Sequence, residues 1–283
     1  MIQPLLQNDA FLADVAAAGR EAPQGVHFWW LGQSGYLVQH AGRHLLFDPY
    51  LSDSLTRKYQ KTDKPHVRMT ERVVAPERLD FVDVITSTHN HTDHLDAETL
   101  VPMVRAAAAA GREPISLVLP AANVEFATNR LREAPPAMAP ILAGQRLSVK
   151  GFDFTATPAA HDQLTTDEQG RNLYLGYVVR IGPITVYHSG DTVVYDGMAA
   201  ELRAYGIDVA ILPINGKVGN MNGADAAKLA HEIGARLAIP CHYDMFEFNT
   251  AAPQEQFIPE CTRLGQRYQI LQAGQRWTAE HAG

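Results

Sequence analysis

The chain has 283 residues, 46% of them hydrophobic, which is ample for one large α/β domain or two small ones. Its formal charge of −7 argues against a dedicated nucleic-acid binder, which is ordinarily basic over its footprint. Two cysteines, Cys241 and Cys261, are too few for a disulfide framework, and each sits in an apolar segment where free Cys behaves as a small hydrophobe.

The first ten residues lack the positive start and unbroken apolar core of a signal peptide, and no stretch is long and apolar enough to cross a membrane. A cytoplasmic, reducing location is the expectation. No linker divides the chain, so residues 1–283 read as a single domain.

Asn8 or Asp9 caps an expected helix through Ala18, with Phe11, Leu12 and Val15 on one face. Strands follow at His27–Leu31, Tyr36–Gln39 and His44–Phe47, the last ending on Asp48-Pro49. His27, His40 and His44 share no ligand spacing and are assigned to structure or surface. Between Ser52 and Arg78 the pattern breaks into a polar loop carrying Arg57, Lys58, Lys61, Lys64, Arg68 and Arg72. Such a run is either a solvated surface or a flap that brings cations, Lys61 and Lys64 among them, to an anionic substrate.

An apolar run, Phe81–Ile85, leads into Thr88-His89-Asn90-His91-Thr92-Asp93-His94-Leu95. Residues two apart on an extended chain point the same way, so His89 and His91 can present ring nitrogens to one ion. Asp93 and His94 follow where the chain turns into a helix, and can address a second ion nearby. A lone buried histidine is by default a satisfied polar group. Four such residues in six positions are hard to explain that way, because crowded imidazoles and carboxylates suit a divalent ion.

Beyond the cluster, a helix is expected over Asp96–Ala110, stopped by Gly111, then a buried strand Ile115–Leu119 and a helix Ala122–Arg132 ended by Pro135-Pro136. Further strands are expected near Arg146–Val149, Phe152–Thr157, Tyr174–Ile181, Ile184–His188, Val209–Ile214 and Leu237–Cys241, with a helix over Ala224–Ile233. The two halves repeat a similar order of elements. Asn222 is a good N-cap for that helix, whose first-turn amides, together with Asn215, Lys217 and the glycines at 216, 219 and 223, either form an anion site or merely build a turn and a cap.

The His-x-His-x-Asp-His pattern resembles the metallo-β-lactamase superfamily. That resemblance implies a four-layer αββα sandwich, two mixed sheets face to face with helices outside and the site at one sheet edge. It also implies three later ligands, met in order by His161 after Phe152–Thr157, Asp191 in His188-Ser189-Gly190-Asp191-Thr192, and His242 after Leu237–Cys241. Asp48 stands where the superfamily often places an Asp behind the metal loop, although turn initiation before Pro49 reads equally well. The segments around Gly32-Gln33-Ser34-Gly35, Leu212–Gly216, Gly219–Asn222 and Pro240–Phe246 look like the branch containing L-ascorbate 6-phosphate lactonase, a cytoplasmic, manganese-dependent enzyme.

The implied chemistry is hydrolysis. His89, His91 and His161 would hold one Mn2+ or Zn2+ ion, Asp93, His94 and His242 the other, and Asp191 would bridge them, while Asp93 orients the nucleophile. The substrate expected is a small, anionic lactone or ester, with no nucleic-acid or membrane partner and with a homo-oligomer left open. A metallo-phosphodiesterase would use the same ligands, whereas a non-hydrolytic di-iron or metal-binding protein would need further carboxylates or an electron-donating partner.

Overall fold

The computed structural model describes residues 1–279. Helix α1 (Asn8–Glu21) buries Phe11, Val15 and Ala18 on one face. Strands β1 (Val26–Gly32), β2 (Gly35–His40) and β3 (Arg43–Phe47) then form an antiparallel meander. Next come α2 (Ser54–Tyr59), β4 (Val84–Thr86), α3 (Ala97–Ala109), β5 (Ser116–Pro120), α4 (Val124–Arg130) and β6 (Ala137–Ile141). From β3 to β6 neighbouring strands run parallel, which requires crossovers, and α3 and α4 supply two of them.

The second half repeats the plan. An antiparallel set comprises β7 (Arg146–Val149) and β8 (Phe152–Pro158), and, after the short pair β9 (Ala160–His161) and β10 (Gln163–Leu164), β11 (Leu175–Ile181) and β12 (Ile184–His188). Helix α5 (Met198–Arg203), β13 (Val209–Pro213), α6 (Gly223–Glu232) and β14 (Leu237–Cys241) extend it in parallel. After α7 (Phe257–Leu264), β15 (Arg276–Ala279) returns to pair with β1. The result is a seven-stranded sheet ordered β15-β1-β2-β3-β4-β5-β6 and a six-stranded sheet ordered β14-β13-β12-β11-β8-β7, flanked by helices. Every residue of β5, β12 and β13 is buried, as both faces of an inner strand must be when helices cover one and the partner sheet the other.

The elements depart from the sequence reading where a partner far along the chain decides. The expected strand from Phe81 starts only at Val84, because Asp83 turns its carboxylate onto the His44 amide (2.8 Å) and Arg43 (2.8 Å), and Phe81 packs edge-on against the His44 ring. Strand β6 carries Pro140, a residue that argues against a strand in the sequence and that its position at the end of the seven-stranded sheet tolerates. Helices α5 and α7 and strands β9, β10 and β15 form where the sequence predicts no element, and α7 contains Pro259 and stops at Gly265 in a left-handed conformation. The basic loop is not without structure, since it holds α2 and a 3-10 turn, Pro76–Arg78.

Contacts between the sheets brace the edge that carries the histidine cluster. Tyr177 on β11 donates from its hydroxyl to the Ser87 carbonyl (2.9 Å), Tyr36 on β2 donates to the Pro240 carbonyl (2.9 Å), and the rings of Phe47 and His188 stack at 4.9 Å. These hold the strand ends that carry the histidine cluster. Tyr177→Phe leaves the buried Ser87 carbonyl without this donor, and an equilibrium urea titration should show a loss of about 1–3 kcal/mol.

Candidate metal centre

Strand β4 ends at Thr86, and the chain from Ser87 turns over the sheet edge before α3 starts at Ala97. The loop is gripped from beneath by Asp48, which follows β3 and is fully buried. Its carboxylate accepts from Thr86 Oγ1 (2.6 Å), from the Thr88 amide (3.1 and 3.2 Å to its two oxygens) and hydroxyl, and from His94 Nδ1 (2.7 Å). Burial opposes its ionisation, yet the hydrogen bond and charge of His94 prevail and hold it below its ordinary range. Of the two readings of Asp48, the structure supports the hydrogen bond behind the loop.

His161 arrives from the second half on β9, Asp191 after β12 and His242 after β14. Two glycines allow close approach here. Gly190 sits at φ +61° with Thr88 2.7 Å from where a Cβ would stand, and Gly219 sits at φ +77° with the His161 ring 2.6 Å from the corresponding point.

The seven side chains converge. Ligand atoms of His89, His91 and His161 lie within 4.8 Å of one another, as do those of His89, His94 and Asp191, and those of Asp93, His94 and His242. Asp191 Oδ1 stands 3.2 Å from His94 Nε2 and 2.9 Å from His242 Nε2, between the groups. Nε2 of His89 and Nε2 of His161 are buried without a hydrogen-bond partner. A buried polar atom is normally paired, so these point to a ligand that the protein does not itself provide. Five imidazoles and two carboxylates form a donor set suited to divalent transition ions, and the residues fit such a centre.

The electrostatics agree. Burial pushes the His89 imidazole well down, with His94 adding to it, and burial also lowers His91. His94 goes the other way, because Asp191 and Asp93 outweigh its burial. Asp191, opposed by burial, is held well below the carboxylate range by His242 and His94. Buried carboxylates here demand positive charge, while His89 and His91 are kept neutral and ready to donate lone pairs.

An open cleft of about 490 Å³ lies above the cluster, with His91, Asp93 and Asp191 on its floor. Lys58, Lys64 and Arg130 line it together with Leu55, Tyr59, Phe126, Val218 and Phe248. Lys61 is not among the lining residues, and other cations of the basic loop are engaged elsewhere, Arg57 with Glu98 and Arg68 with Asp53. Asn215, Lys217 and Asn222 do not line the cleft either. Asn215 donates to Asn249 (2.7 Å), Lys217 to the Phe248 carbonyl (2.9 Å), and Asn222 caps α6 by accepting from the Asp225 amide (2.9 Å). These contacts build a turn and cap α6. Close approach by glycine serves the His161 ring, and Asn220 supports the site by accepting from the Thr192 amide (3.1 Å).

Four further residues support the centre. Arg130 donates to the carbonyls of Asn90 (2.7 Å) and Leu95 (3.1 Å), bracing the metal loop from α4, and Tyr174 stacks on His161 at 5.1 Å. Gln33 and Ser34 reach the cluster from the β1–β2 turn; the Gly-Gln-Ser-Gly motif was the available signal.

Comparison with known proteins agrees with this geometry. A model described as "Beta-lactamase superfamily domain" matches residues 43–243. The chain belongs to the metallo-β-lactamase superfamily of metal-dependent hydrolases, within the UPF0173 family. A UPF0173 metal-dependent hydrolase of Rubrobacter xylanophilus is 30% identical over 87% of this chain and 93% of its own, and one of Opitutus terrae is 28% identical over 87% and 96%. Igni18, described as a novel metallo hydrolase of Ignicoccus hospitalis, shares the fold at a TM-score of 0.66, with 22% identity over 91% of this chain and 99% of its own.

Removing a floor residue should empty the centre. His91→Ala and Asp191→Ala should each lower bound metal, read by elemental analysis after dialysis, and reduce turnover by several powers of ten, because an opened coordination sphere misplaces the nucleophile.

Proposed function

We propose that this protein is a binuclear metal hydrolase that opens a small anionic lactone or ester. The observation that carries the reading is the convergence of seven donors beneath a cleft lined by cationic and aromatic side chains. His89, His91 and His161 would hold one divalent ion, Asp93, His94 and His242 the second, with Asp191 between them. Two ions of Mn2+ or Zn2+ bound there supply a hydroxide nucleophile at neutral pH and Lewis acidity toward the scissile carbonyl.

The chain's own groups do the rest. Asp93, on the floor, accepts a hydrogen bond from the nucleophile and orients it toward the substrate. Lys58 and Lys64 draw the anionic end of the substrate toward the rim, while Phe126, Tyr59 and Phe248 take its carbon skeleton and exclude bulk water from the reacting face. Cys241 plays no nucleophilic part, since it is buried and its thiol is pushed far up by that burial.

A hydrolysis panel tests the reading. Mn- and Zn-loaded protein should turn over phosphorylated or carboxylated lactones and leave cyclic and linear phosphodiesters intact; the reverse pattern would assign a phosphodiesterase on the same ligands. Lys58→Ala combined with Lys64→Ala should raise KM for an anionic lactone roughly two- to fivefold, with no change for a neutral one and with the difference shrinking in high salt. Lys61→Ala, outside the cleft, should leave both constants at the wild-type level.

A further inference from the structure

The turn joining β1 to β2, Gly32-Gln33-Ser34-Gly35, is remote in sequence from every residue of the metal loop, yet its tip lies against the cluster. Gln33 is fully buried. Its side-chain amide nitrogen donates to Asp93 Oδ2 (2.9 Å) and stands 3.1 Å from His242 Nδ1, while its backbone carbonyl accepts from the His242 amide (3.2 Å) and from Trp30 Nε1 (3.1 Å). Ser34 adds a contact from its hydroxyl to His242 Nε2 (2.7 Å), and its carbonyl accepts from His188 Nε2 (3.0 Å).

The backbone gives the reason to look further. Gln33 has φ +50° and His242 φ +60°, both left-handed and neither a glycine. A side chain in that region costs about 1–2 kcal/mol, and a turn already flanked by Gly32 and Gly35 would form more readily with a third glycine or an asparagine. A long amide at a strained, sealed position is explained by what the amide does. A neutral NH2 group can donate to the Asp93 carboxylate without altering the charge of the site, while the backbone carbonyl of the same residue holds the His242 amide.

We propose that Gln33 is a positioning residue that sets the spacing between Asp93, from the first half of the chain, and His242, from the second. The inference rests on the binuclear reading above, in which those two residues share an ion with His94. Asp93 is carried by a loop held through Asp48, whereas His242 follows β14 on the other sheet, and Gln33 touches both. Without its amide, the two donors keep their own backbones but lose their common reference, and the ion they share is released before the one held by His89, His91 and His161.

Two variants separate this from a general structural role. Gln33→Met keeps the volume and the strain and removes the amide; Gln33→Gly removes the amide and relieves the strain. Metal binding to each is followed by elemental analysis and by the visible absorption of the cobalt-substituted protein, with melting temperatures recorded in chelator. The expected result is that both variants bind the second ion roughly 10- to 100-fold more weakly, with altered cobalt bands for that ion alone and the first ion retained. Gln33→Gly should do so with a chelator melting temperature no lower than that of Gln33→Met. Two ions bound at wild-type affinity with an unchanged cobalt spectrum in both variants, alongside metal loss in His91→Ala, would overturn the positioning role while leaving the binuclear centre standing. A His91→Ala protein that keeps all its metal would overturn the binuclear reading, and this inference with it.

Discussion

The buried carboxylate of Asp48 is the interaction on which the rest of the site depends. A loop that exposes three imidazoles and a carboxylate to one small volume cannot be held by hydrophobic packing, because its side chains must face inward to a ligand and its backbone still requires partners. Asp48 answers both needs from one position, fixing the loop backbone at Thr88 and orienting the His94 ring through Nδ1. With that nitrogen engaged, Nε2 is the atom left to face Asp191 and the centre. Asp48 itself sits at φ +32°, a strained backbone that its network of bonds over-determines.

The duplicated architecture explains why the site forms where it does. Each half sends an antiparallel meander into parallel strands, and parallel strands place their C-terminal ends along one edge. Loops after β4, β12 and β14 therefore emerge together, carrying His89 to His94, Asp191 and His242. Tyr177 and the stacked pair of Phe47 and His188 keep those edges in register between the sheets. The return of β15 to β1 places the hairpin bearing Gln33 inside the sheet, flanked by β15 on one side and β3 on the other.

Charge is distributed on two scales. The protein as a whole is acidic, at −7, but the cleft above the centre is rimmed by Lys58, Lys64 and Arg130. Much of the basic loop is consumed by structure, with Arg57 and Arg68 in ion pairs, so density of cations along the chain overstated what is presented to a ligand. Long side chains of this kind settle on whichever carboxylate or carbonyl lies within reach, and that neighbour is invisible in a local window of sequence.

What the sequence determined by itself was whatever depends on neighbours along the chain. The alternation of His89 and His91, the turn through Asp93 and His94, the N-cap at Asn222 and most inner strands follow from local spacing and apolar runs. The superfamily pattern extended this to His161, Asp191 and His242, since each stands in its own short motif at a strand end. Tertiary structure alone decided which cations line the cleft, that Lys217 is spent on Phe248, that β6 and β15 exist as edges, and that Gln33 joins Asp93 to His242. The physical reason is common to all of these: a buried hydrogen bond or an edge pairing is satisfied by whichever group the fold brings near, here across 60 residues from Gln33 to Asp93 and 209 from Gln33 to His242, and no periodicity in the chain records that distance.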